Sequence, residues 1–409
     1  MHYFPVLILF IVFFLIIIRQ IGNVKLQIWQ IMLGGAVFVI LSGSISIQKA
    51  VNSINMDVIL FLSGMFIIGE VMEESGYLSH LTYKIFRKAG NLDSLLLMIL
   101  FGMGTASAIL MNDTIAIVGT PVVLLLAKNH RIPPGVLLLA LAFAVTTGSV
   151  LSPIGNPQNL LIALHGDIKN PFVVFFKFLA LPTILNLFTA FILIKIFYRG
   201  HFHKETLIHT QEPIKNKNLA NLSRISLILI LTMIGIKILT VMVKIPFEIK
   251  LTYISLISAL PIIALSPRRF KILKRIDWAT LVFFASMFIL MQSVWDTGFF
   301  QMFLSYDKIK SLPAIFSISV ILSQFISNVP LVALYLPLLY NSGAGIKELM
   351  ALAAGSTIAG NMTILGAASN VIIIQNAEKK GYSVTFLEFV RIGIPLTVIN
   401  VFIYWLFLH

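Results

Sequence analysis

The chain has 409 residues, of which 58% are hydrophobic and only 11% are charged. Soluble domains carry about a quarter charged residues, so this composition, with a mean hydropathy of +0.96, predicts a polytopic α-helical membrane protein. Cysteine is absent, which excludes disulfides, thiolate metal sites and cysteine nucleophiles.

The first half of the chain is a series of apolar runs, most of them as long as a helical membrane span requires. The five predicted spans are 3–18, 28–47, 57–72, 134–165 and 172–197. A further run, about 94–127, is interrupted in its middle by Asn112-Asp113-Thr114. Because each arm is too short to cross the bilayer comfortably, we interpret this run as a re-entrant helical hairpin.

A polar segment, 199–224, separates this half from the second and is the predicted linker. The five predicted spans after it are 225–243, 251–265, 278–294, 347–375 and 386–408. Another apolar run, about 313–340, is broken at Ser327-Asn328-Val329-Pro330 and is interpreted as a second hairpin.

The two halves, 1–198 and 225–409, share an order of elements and several residues at corresponding places. The corresponding pairs are Asp57 and Asp277, Asn112 and Asn328, Pro121 and Pro337, Gly155 and Gly366, and Asn159 and Asn370. Such ordered correspondence favours an internal duplication over chance. Because five crossings are an odd number, the second half is predicted to be inverted, so its hairpin enters from outside and the first enters from the cytoplasm.

The basic residues predict the orientation in the membrane. Threading the predicted spans through the bilayer puts most of the 30 lysines and arginines on one face, together with the linker. By the positive-inside rule that face is cytoplasmic and both termini lie outside, in a multi-pass protein of the inner (plasma) membrane. The net charge of +14 is explained by this topology, so nucleic acid is not expected as a partner.

Four interruptions of the apolar pattern, two hairpin tips and two helix breaks, predict one solute site near the middle of the membrane. Half-helix N-termini at such breaks favour anionic or polar solutes, and the opposing carbonyl groups suit a small cation. We expect Gly155, Pro157 and Gly366 to break the helices, since they permit a tight turn or remove a backbone donor. The predicted substrate-binding residues are Asn112, Thr114, Asn156, Asn159, Asn328, Thr363, Ser369 and Asn370.

Two acidic residues are candidates for binding the coupling ion. Asp113 lies at the first hairpin tip, where an ionisable group inside the membrane indicates function, although it could also cap the second hairpin arm. Glu70 lies near the cytoplasmic end of its span, where snorkelling to the interface explains it equally well. No metal-ligand cluster or cofactor motif is present, so bound Na⁺ or transported H⁺ is the only such species expected.

The segment Gly360-Asn-Met-Thr-Ile-Leu-Gly-Ala-Ala-Ser-Asn370 resembles the broken-helix signature of the ion transporter superfamily. That superfamily includes arsenite permeases, NhaD-type sodium/proton antiporters and divalent anion/sodium symporters, and the two hairpin tips look most like the arsenite-permease branch. The resemblance implies a solute site between the hairpin tips and the helix breaks. Met111 and Val329 depart from the Ser-Asn-Thr tips of the sodium–dicarboxylate branch, and Asp113 makes proton coupling the more attractive expectation.

Together these patterns predict a secondary active transporter that moves a small anion or an arsenite-like oxyacid by alternating access, coupled to protons or to sodium. A sodium/proton antiporter of the same fold is the alternative. An intramembrane enzyme is a remote one, because no nucleophile–base pair or metal site is visible. The expected partners are the lipid bilayer and a small-molecule or ion substrate. The sequence leaves a homodimer open and does not indicate whether an auxiliary ATPase is used.

Overall fold

The chain was analysed in a computed structural model. The described residues are 3–18, 20–21, 24–166, 168–201, 207, 213–243, 250–299, 309–326 and 328–409.

The described part of the first half contains a pair of two-residue strands and a series of helices joined by short turns. The helices are α1 (Phe4–Ile18), α2 (Ile28–Leu41), α3 (Ile47–Ser53), α4 (Met56–Glu74), α5 (Tyr77–Phe86), α6 (Leu92–Leu97), α7 (Gly104–Leu110), α8 (Asn112–Asn129), α9 (Pro134–Ser149), α10 (Pro157–His165) and α11 (Pro171–Phe197). A π-helical segment, Met98–Met103, joins α6 to α7, and a 3₁₀ turn, Arg199–His201, follows α11. The strands β1 (Gln20–Ile21) and β2 (Val24–Lys25) pair antiparallel.

The second half repeats this succession of helices. Its helices are α12 (Lys217–Val243), α13 (Leu251–Leu265), α14 (Arg269–Arg275), α15 (Trp278–Trp295), α16 (Leu312–Ile326), α17 (Asn328–Asn341), α18 (Ile346–Ile358), α19 (Ala368–Lys379) and α20 (Phe386–Leu408). Two 3₁₀ turns, Ala359–Asn361 and Ile364–Gly366, lie between α18 and α19.

Several of these helices are long and apolar enough to cross a membrane. Five described helical stretches meet that test, and α3 with α4, which meet at 53°, provide a sixth if they are taken as one bent span. The longest cover Pro171–Phe197 and Phe386–Leu408. The prediction of a helical, multi-pass membrane protein is confirmed, and β1 with β2 is the single described departure from an all-α fold.

The start of α12 and helix α5 are among the differences from the predicted elements, as are the short helices α3 and α14. Helix α12 begins at Lys217, inside the predicted linker, because Asn216 accepts the Leu219 N–H at 3.1 Å and Leu219 is buried against the bundle. Helix α5 was not predicted, since it is too short for a span. Its buried residues Leu78 and Thr82 lie four apart, which gives one packed face on an otherwise polar segment.

The first predicted hairpin is interrupted close to the polar residues. Helix α7 ends at Leu110 and α8 begins at Asn112, so the break falls at Met111, one residue before the predicted tip. Met111 has φ 70° and ψ 147°, a conformation that costs a non-glycine residue roughly 1–3 kcal/mol and persists only where the surroundings hold it. In the second hairpin, α16 ends at Ile326 and α17 begins at Asn328, and the predicted Ser327 lies outside the described residues.

The helices pack in pairs that recur between the halves. The packing of α4 against α13 corresponds to that of α15 against α2, and the packing of α8 against α19 corresponds to that of α17 against α10. Within each half, α7 packs against α9 and α16 packs against α18. Helices α11 and α20 pack against each other. Helices α9 and α18 form the core, since all residues of 136–149 and 349–358 are buried. Each hairpin therefore lies against the second segment of the broken helix from the other half.

Candidate functional site

The first hairpin tip and the first helix break meet inside the bundle. The backbone N–H of Asn112 donates to the carbonyl oxygen of Gly155 at 2.9 Å. Helix α9 ends at Ser149 and α10 starts at Pro157, so Gly155 lies in the unwound stretch between them. This bond crosses from hairpin to break and holds the strained turn at Met111 in place.

Glycine is required at both breaks because the backbone passes so close to itself. A Cβ atom at Gly155 would lie 2.1 Å from the carbonyl oxygen of Ser149. At Gly366 it would lie 2.7 Å from the carbonyl oxygen of Ala359 and 2.8 Å from the side-chain oxygen of Gln324. These distances are far below van der Waals contact, so the two predicted break glycines are tightly fixed by their surroundings.

Two predicted substrate-binding asparagines hold the breaks together. The Asn159 Nδ2 group donates to the carbonyl oxygen of Ser149 at 3.3 Å, and that of Asn370 donates to the carbonyl oxygen of Gly360 at 2.5 Å. Asn159 also reaches the carbonyls of the next residues of the unwound stretch. Both asparagines are fully buried. Their amides therefore satisfy carbonyl groups that the ends of α9 and α18 leave without helical partners.

Each of these asparagines also accepts a bond from the other half of the chain. Thr357 Oγ1 donates to Asn159 Oδ1 at 3.3 Å, and Thr146 Oγ1 donates to Asn370 Oδ1 at 3.4 Å. Thr357 lies as many residues after Thr146 as Asn370 lies after Asn159. The two bonds thus form a reciprocal pair across the centre of the bundle.

Asn156 extends this network on the side of the first break. Its Oδ1 accepts the backbone N–H of Asn159 at 2.8 Å and so caps α10, with Pro157 in the first helical position. Its Nδ2 donates to Ser149 Oγ at 3.1 Å and to Thr357 Oγ1 at 3.2 Å. Asn156 is fully buried and joins the cap of α10 to the opposite half.

The second break contains a different polar contact. Thr363 accepts the backbone N–H of Gly366 at 3.1 Å and donates to Gln324 Oε1 at 2.8 Å. Gln324 comes from the second hairpin, and its Nε2 donates to the Ala359 carbonyl at 2.9 Å. The sequence did not single out Gln324, Thr146 or Thr357, because isolated hydroxyl and amide groups in apolar runs are common in packed helices.

Some buried polar atoms at the site have no hydrogen-bond partner in the described part of the chain. These atoms are Asp113 Oδ1, Asn328 Oδ1, Asn361 Oδ1 and Ser369 Oγ. Asp113 lies in the first turn of α8 and is half-buried, with Thr114 buried beside it. It does not act as the helix cap, which is Met111. Unpaired buried acceptors cost free energy, so these positions favour a proton, an ion or a polar solute.

Glu70 lies apart from the four interruptions. It lines a cavity of about 120 Å³ where the C-terminal parts of α4 and α19 meet the middle of α8, along with Glu73, Lys379 and Lys380. Lys380 forms an ion pair with Glu73, and Arg275 lies 4.0 Å from Glu70. The α8 residues that line this cavity are Ile117 and Pro121, so along α8 it begins one helical turn after Asp113.

Among the described residues, no group of three or more His, Asp or Glu side chains could hold a metal ion. The buried polar groups are instead amides, hydroxyls and one carboxylate, placed where helices are broken inside a membrane bundle. Unwound backbone at that depth is tolerated where it lines a cavity for a solute. With the comparisons below, this fold and site define a membrane transporter and not an enzyme.

The chain belongs to the CitMHS family, described as citrate transporter, whose family model matches residues 8–348. That family lies within the ion transporter superfamily that the sequence resembles. Its relatives include the P protein of Mus musculus, 25% identical over 446 residues, which covers 87% of this chain and 54% of the relative. The 46 kDa membrane protein of Mycobacterium leprae is 25% identical over 374 residues, with 86% and 85% covered.

An uncharacterized transporter of Mycobacterium tuberculosis is also 25% identical, over 372 residues, with 86% of this chain and 85% of the relative covered. Among solved structures, the YdaH transporter of Alcanivorax borkumensis is similar over 99% of this chain and 97% of its own, with a TM-score of 0.47 and 14% sequence identity. This chain spans about half the length of the P proteins and most of the length of the mycobacterial relatives.

Proposed function

We propose that this protein is a secondary transporter that moves a small anion, foremost a citrate-like carboxylate, together with a proton or Na⁺ by alternating access. The observation that carries the proposal is the meeting of hairpin tips and helix breaks from two halves of one chain. In secondary transporters, sites of this kind lie near the bilayer midplane between inverted repeats.

Two inverted halves are supported by the reciprocal contacts. Thr146 with Asn370 and Thr357 with Asn159 are bonds that a two-fold axis would interchange. The same two-fold rotation exchanges the packing of α8 against α19 with the packing of α17 against α10. Such exchange is typical of halves that can alternate between two arrangements around a central solute.

Binding of an anion is supported by the four helices that begin at the interruptions. Helices α8, α10, α17 and α19 each direct an N-terminus towards a hairpin tip or a break. Their first backbone N–H groups and the helix dipoles favour negative charge. Asn112, Asn328 and Ser369 lie in the first turns of these helices and are the proposed side-chain contacts to the solute. An arsenite-like oxyacid has the same polar chemistry and belongs among the substrates to test.

Asp113 is the proposed site of the coupling cation. Its Oδ1 is buried without a hydrogen-bond partner in the described chain. A buried carboxylate oxygen without a partner is costly in the membrane, and a proton or a sodium ion removes that cost. Glu70, in the cavity that adjoins Ile117 and Pro121 of α8, would contribute to ion access.

The orientation with the linker in the cytoplasm is supported by the ion pairs. Each pair joins residues that the sequence assigns to the same face. On the face without the linker, Lys49 lies 2.6 Å from Asp296 and Lys250 lies 2.9 Å from Asp57. On the linker face, Arg268 lies 3.0 Å from Glu74. The linker face carries the larger share of basic charge, which favours the cytoplasmic side of the plasma membrane.

A sodium/proton antiporter is the second candidate, and the same unpartnered oxygen of Asp113 favours it. A carboxylate that binds either H⁺ or Na⁺ exchanges the two ions without any anion. A change of internal pH evoked in proteoliposomes by Na⁺ alone would support this candidate over anion transport.

A panel of ligands on the purified protein tests the proposal. Citrate, smaller dicarboxylates, arsenite and inorganic anions are compared for their effect on the melting temperature, each with and without Na⁺ and at two pH values. A true substrate raises the melting temperature with its concentration, because it binds the native state. Ligands that stabilise are then tested for uptake into proteoliposomes. We expect uptake of a carboxylate driven by a proton or sodium gradient, and uptake indifferent to both gradients would contradict the proposal.

A further inference from the structure

The second helix break contains a side-chain amide that has no counterpart in the first. Gln324 lies on α16, one helical turn before Asn328 at the second hairpin tip. The corresponding residue one turn before Asn112 is Ala108. Both positions are buried, at 7% and 4% exposure. The two halves therefore have the same residue at the hairpin tip and different residues one helical turn before it.

The bonds of Gln324 show what its amide replaces. Its Nε2 group donates to the carbonyl oxygens of Ala359 and Val320, each at 2.9 Å, while its Oε1 accepts the Thr363 hydroxyl at 2.8 Å. Ala359 is the C-cap of α18, and its carbonyl oxygen also accepts the backbone N–H of Met362 at 3.1 Å, so the amide takes up its remaining lone pair. Carbonyls at half-helix C-termini are groups that bind small cations in broken-helix transporters. The partial positive charge of the amide lies where such a cation would lie.

The space beside the two breaks is filled in different ways. At the first break the backbone closes on itself, since a Cβ at Gly155 would meet Ser149 at 2.1 Å. At the second break a Cβ placed on Gly366 would meet the Ala359 carbonyl oxygen at 2.7 Å and the Gln324 oxygen at 2.8 Å. The space that the Gln324 side chain takes, the recess, adjoins the carbonyl oxygens of Ala359 and Val320 and the Thr363 hydroxyl.

The two hairpins also differ in the residue that follows the tip asparagine. The first hairpin carries Asp113 after its tip asparagine, whereas the second carries the apolar Val329 at that position. We infer that Gln324 is a neutral, built-in substitute for a second bound cation, so that cation binding is confined to the first half. This inference rests on the proposed function, because it concerns which half binds the coupling ion.

Sodium binding to the purified full-length protein tests the inference directly. The number of ²²Na⁺ ions bound per molecule at saturation is measured for the parent protein, for Gln324→Ala and for Gln324→Leu. Both variants lose the same hydrogen bonds, but alanine empties the recess while leucine fills it. We expect Gln324→Ala to bind one more Na⁺ per molecule than the parent, and Gln324→Leu to bind the same number as the parent.

Equal sodium binding by Gln324→Ala and the parent, in protein that elutes as a single species, would overturn the inference. A purely structural role of Gln324 would lower the melting temperature of both variants without changing the number of bound ions. If the alanine variant does not fold, Gln324→Ser is measured in its place with the same expectation, since serine also leaves the recess open.

The sodium count requires no flux, so its failure is distinct from failure of the proposed function. A parent protein that transports a carboxylate, with no added ion in Gln324→Ala, would leave the transport proposal intact and reject the inference. An added ion in Gln324→Ala, with no gradient-driven uptake by the parent protein, would reject the transport proposal and leave the assignment of the recess in place.

Discussion

The two helix breaks are alike in the bonds that hold them and unlike in what fills them. Asn159 and Asn370 each donate to carbonyls of their own break and accept from a threonine of the other half. The first break is closed by its backbone and lies beside the acidic tip at Asp113. The second is filled by Gln324 from its own hairpin. The two breaks thus share their hydrogen bonds to asparagine and differ in the groups packed beside them.

The largest expected effect on stability comes from enlarging the tighter break. In Gly155→Ala the new methyl group has only backbone to meet, so we expect a loss of about 3 kcal/mol or more in unfolding free energy. Gly366→Ala should cost about 1–2 kcal/mol, because part of its clash is with the Gln324 side chain. The melting temperatures of the two variants in detergent show which substitution costs more stability.

A matched control for these variants is Gly235→Ala, where nothing lies within 4 Å of the added Cβ. That variant should melt at or above the parent temperature, since alanine is the better helix former. Equal losses for Gly155→Ala and Gly366→Ala would contradict the claim that the two breaks are closed in different ways.

The second prediction concerns the acid that only the first half carries. Asp113→Asn keeps the size of the side chain and removes the charge that requires a proton or Na⁺. We expect gradient-driven uptake to fall to the level of empty proteoliposomes, while the melting temperature without Na⁺ stays within a few degrees of the parent. Val329→Asn, at the corresponding position of the second hairpin, is the control and should retain the coupling. Coupling that survives Asp113→Asn would rule out the role assigned to this residue.

A smaller effect is expected from the asparagines that hold the breaks. Asn159→Ala leaves several carbonyls of the first break with one fewer donor, and Asn370→Ala removes the amide donor to the Gly360 carbonyl. An unsatisfied buried group costs about 1–3 kcal/mol, so both variants should be destabilised, with Asn159→Ala the more so. The melting temperatures of the two variants measure this difference, and the reverse order would show that the short bond of Asn370 matters more.

The smallest effect is expected from the reciprocal threonine bonds. Thr357 serves Asn159, Asn156 and Gln158, whereas Thr146 has one long bond to Asn370. Thr357→Val should therefore cost about 1 kcal/mol or more and Thr146→Val about 0.5 kcal/mol. A double-mutant cycle with Asn159→Ala then gives the coupling energy across the halves. No coupling between Thr357 and Asn159 would argue against a bond that joins the two halves.

Breaks in apolar runs can be predicted from sequence because glycine, proline and asparagine interrupt such runs for local reasons. In the structure Gly155 lies between α9 and α10, Gly366 lies between α18 and α19, and Asn112 is the first residue of α8. The partners of the asparagines could not be predicted in this way. Thr146 and Thr357 look like ordinary helix hydroxyls until the fold brings the two halves together.

The beginning of α12 and the role of Gln324 escaped prediction for similar reasons. The segment from Lys217 was interpreted as linker because its charges are conspicuous and its buried face, with Leu219, is narrow. Gln324 lies in an apolar run, where a single amide gives no local signal. Only its contacts with Ala359 and Thr363 show that it belongs to the site.

The central claim is that the two halves share one frame and that only the first binds a cation. An experimental density map of the protein with saturating Na⁺ and a transported anion, at a resolution that shows bound ions, tests this most directly. We predict a solute between the hairpin tips, with Asp113 Oδ1 either bound to an ion or protonated, and the Gln324 amide still on the carbonyl of Ala359. An ion beside Ala359 with Gln324 displaced, or an ion in the first half remote from Asp113, would contradict the claim.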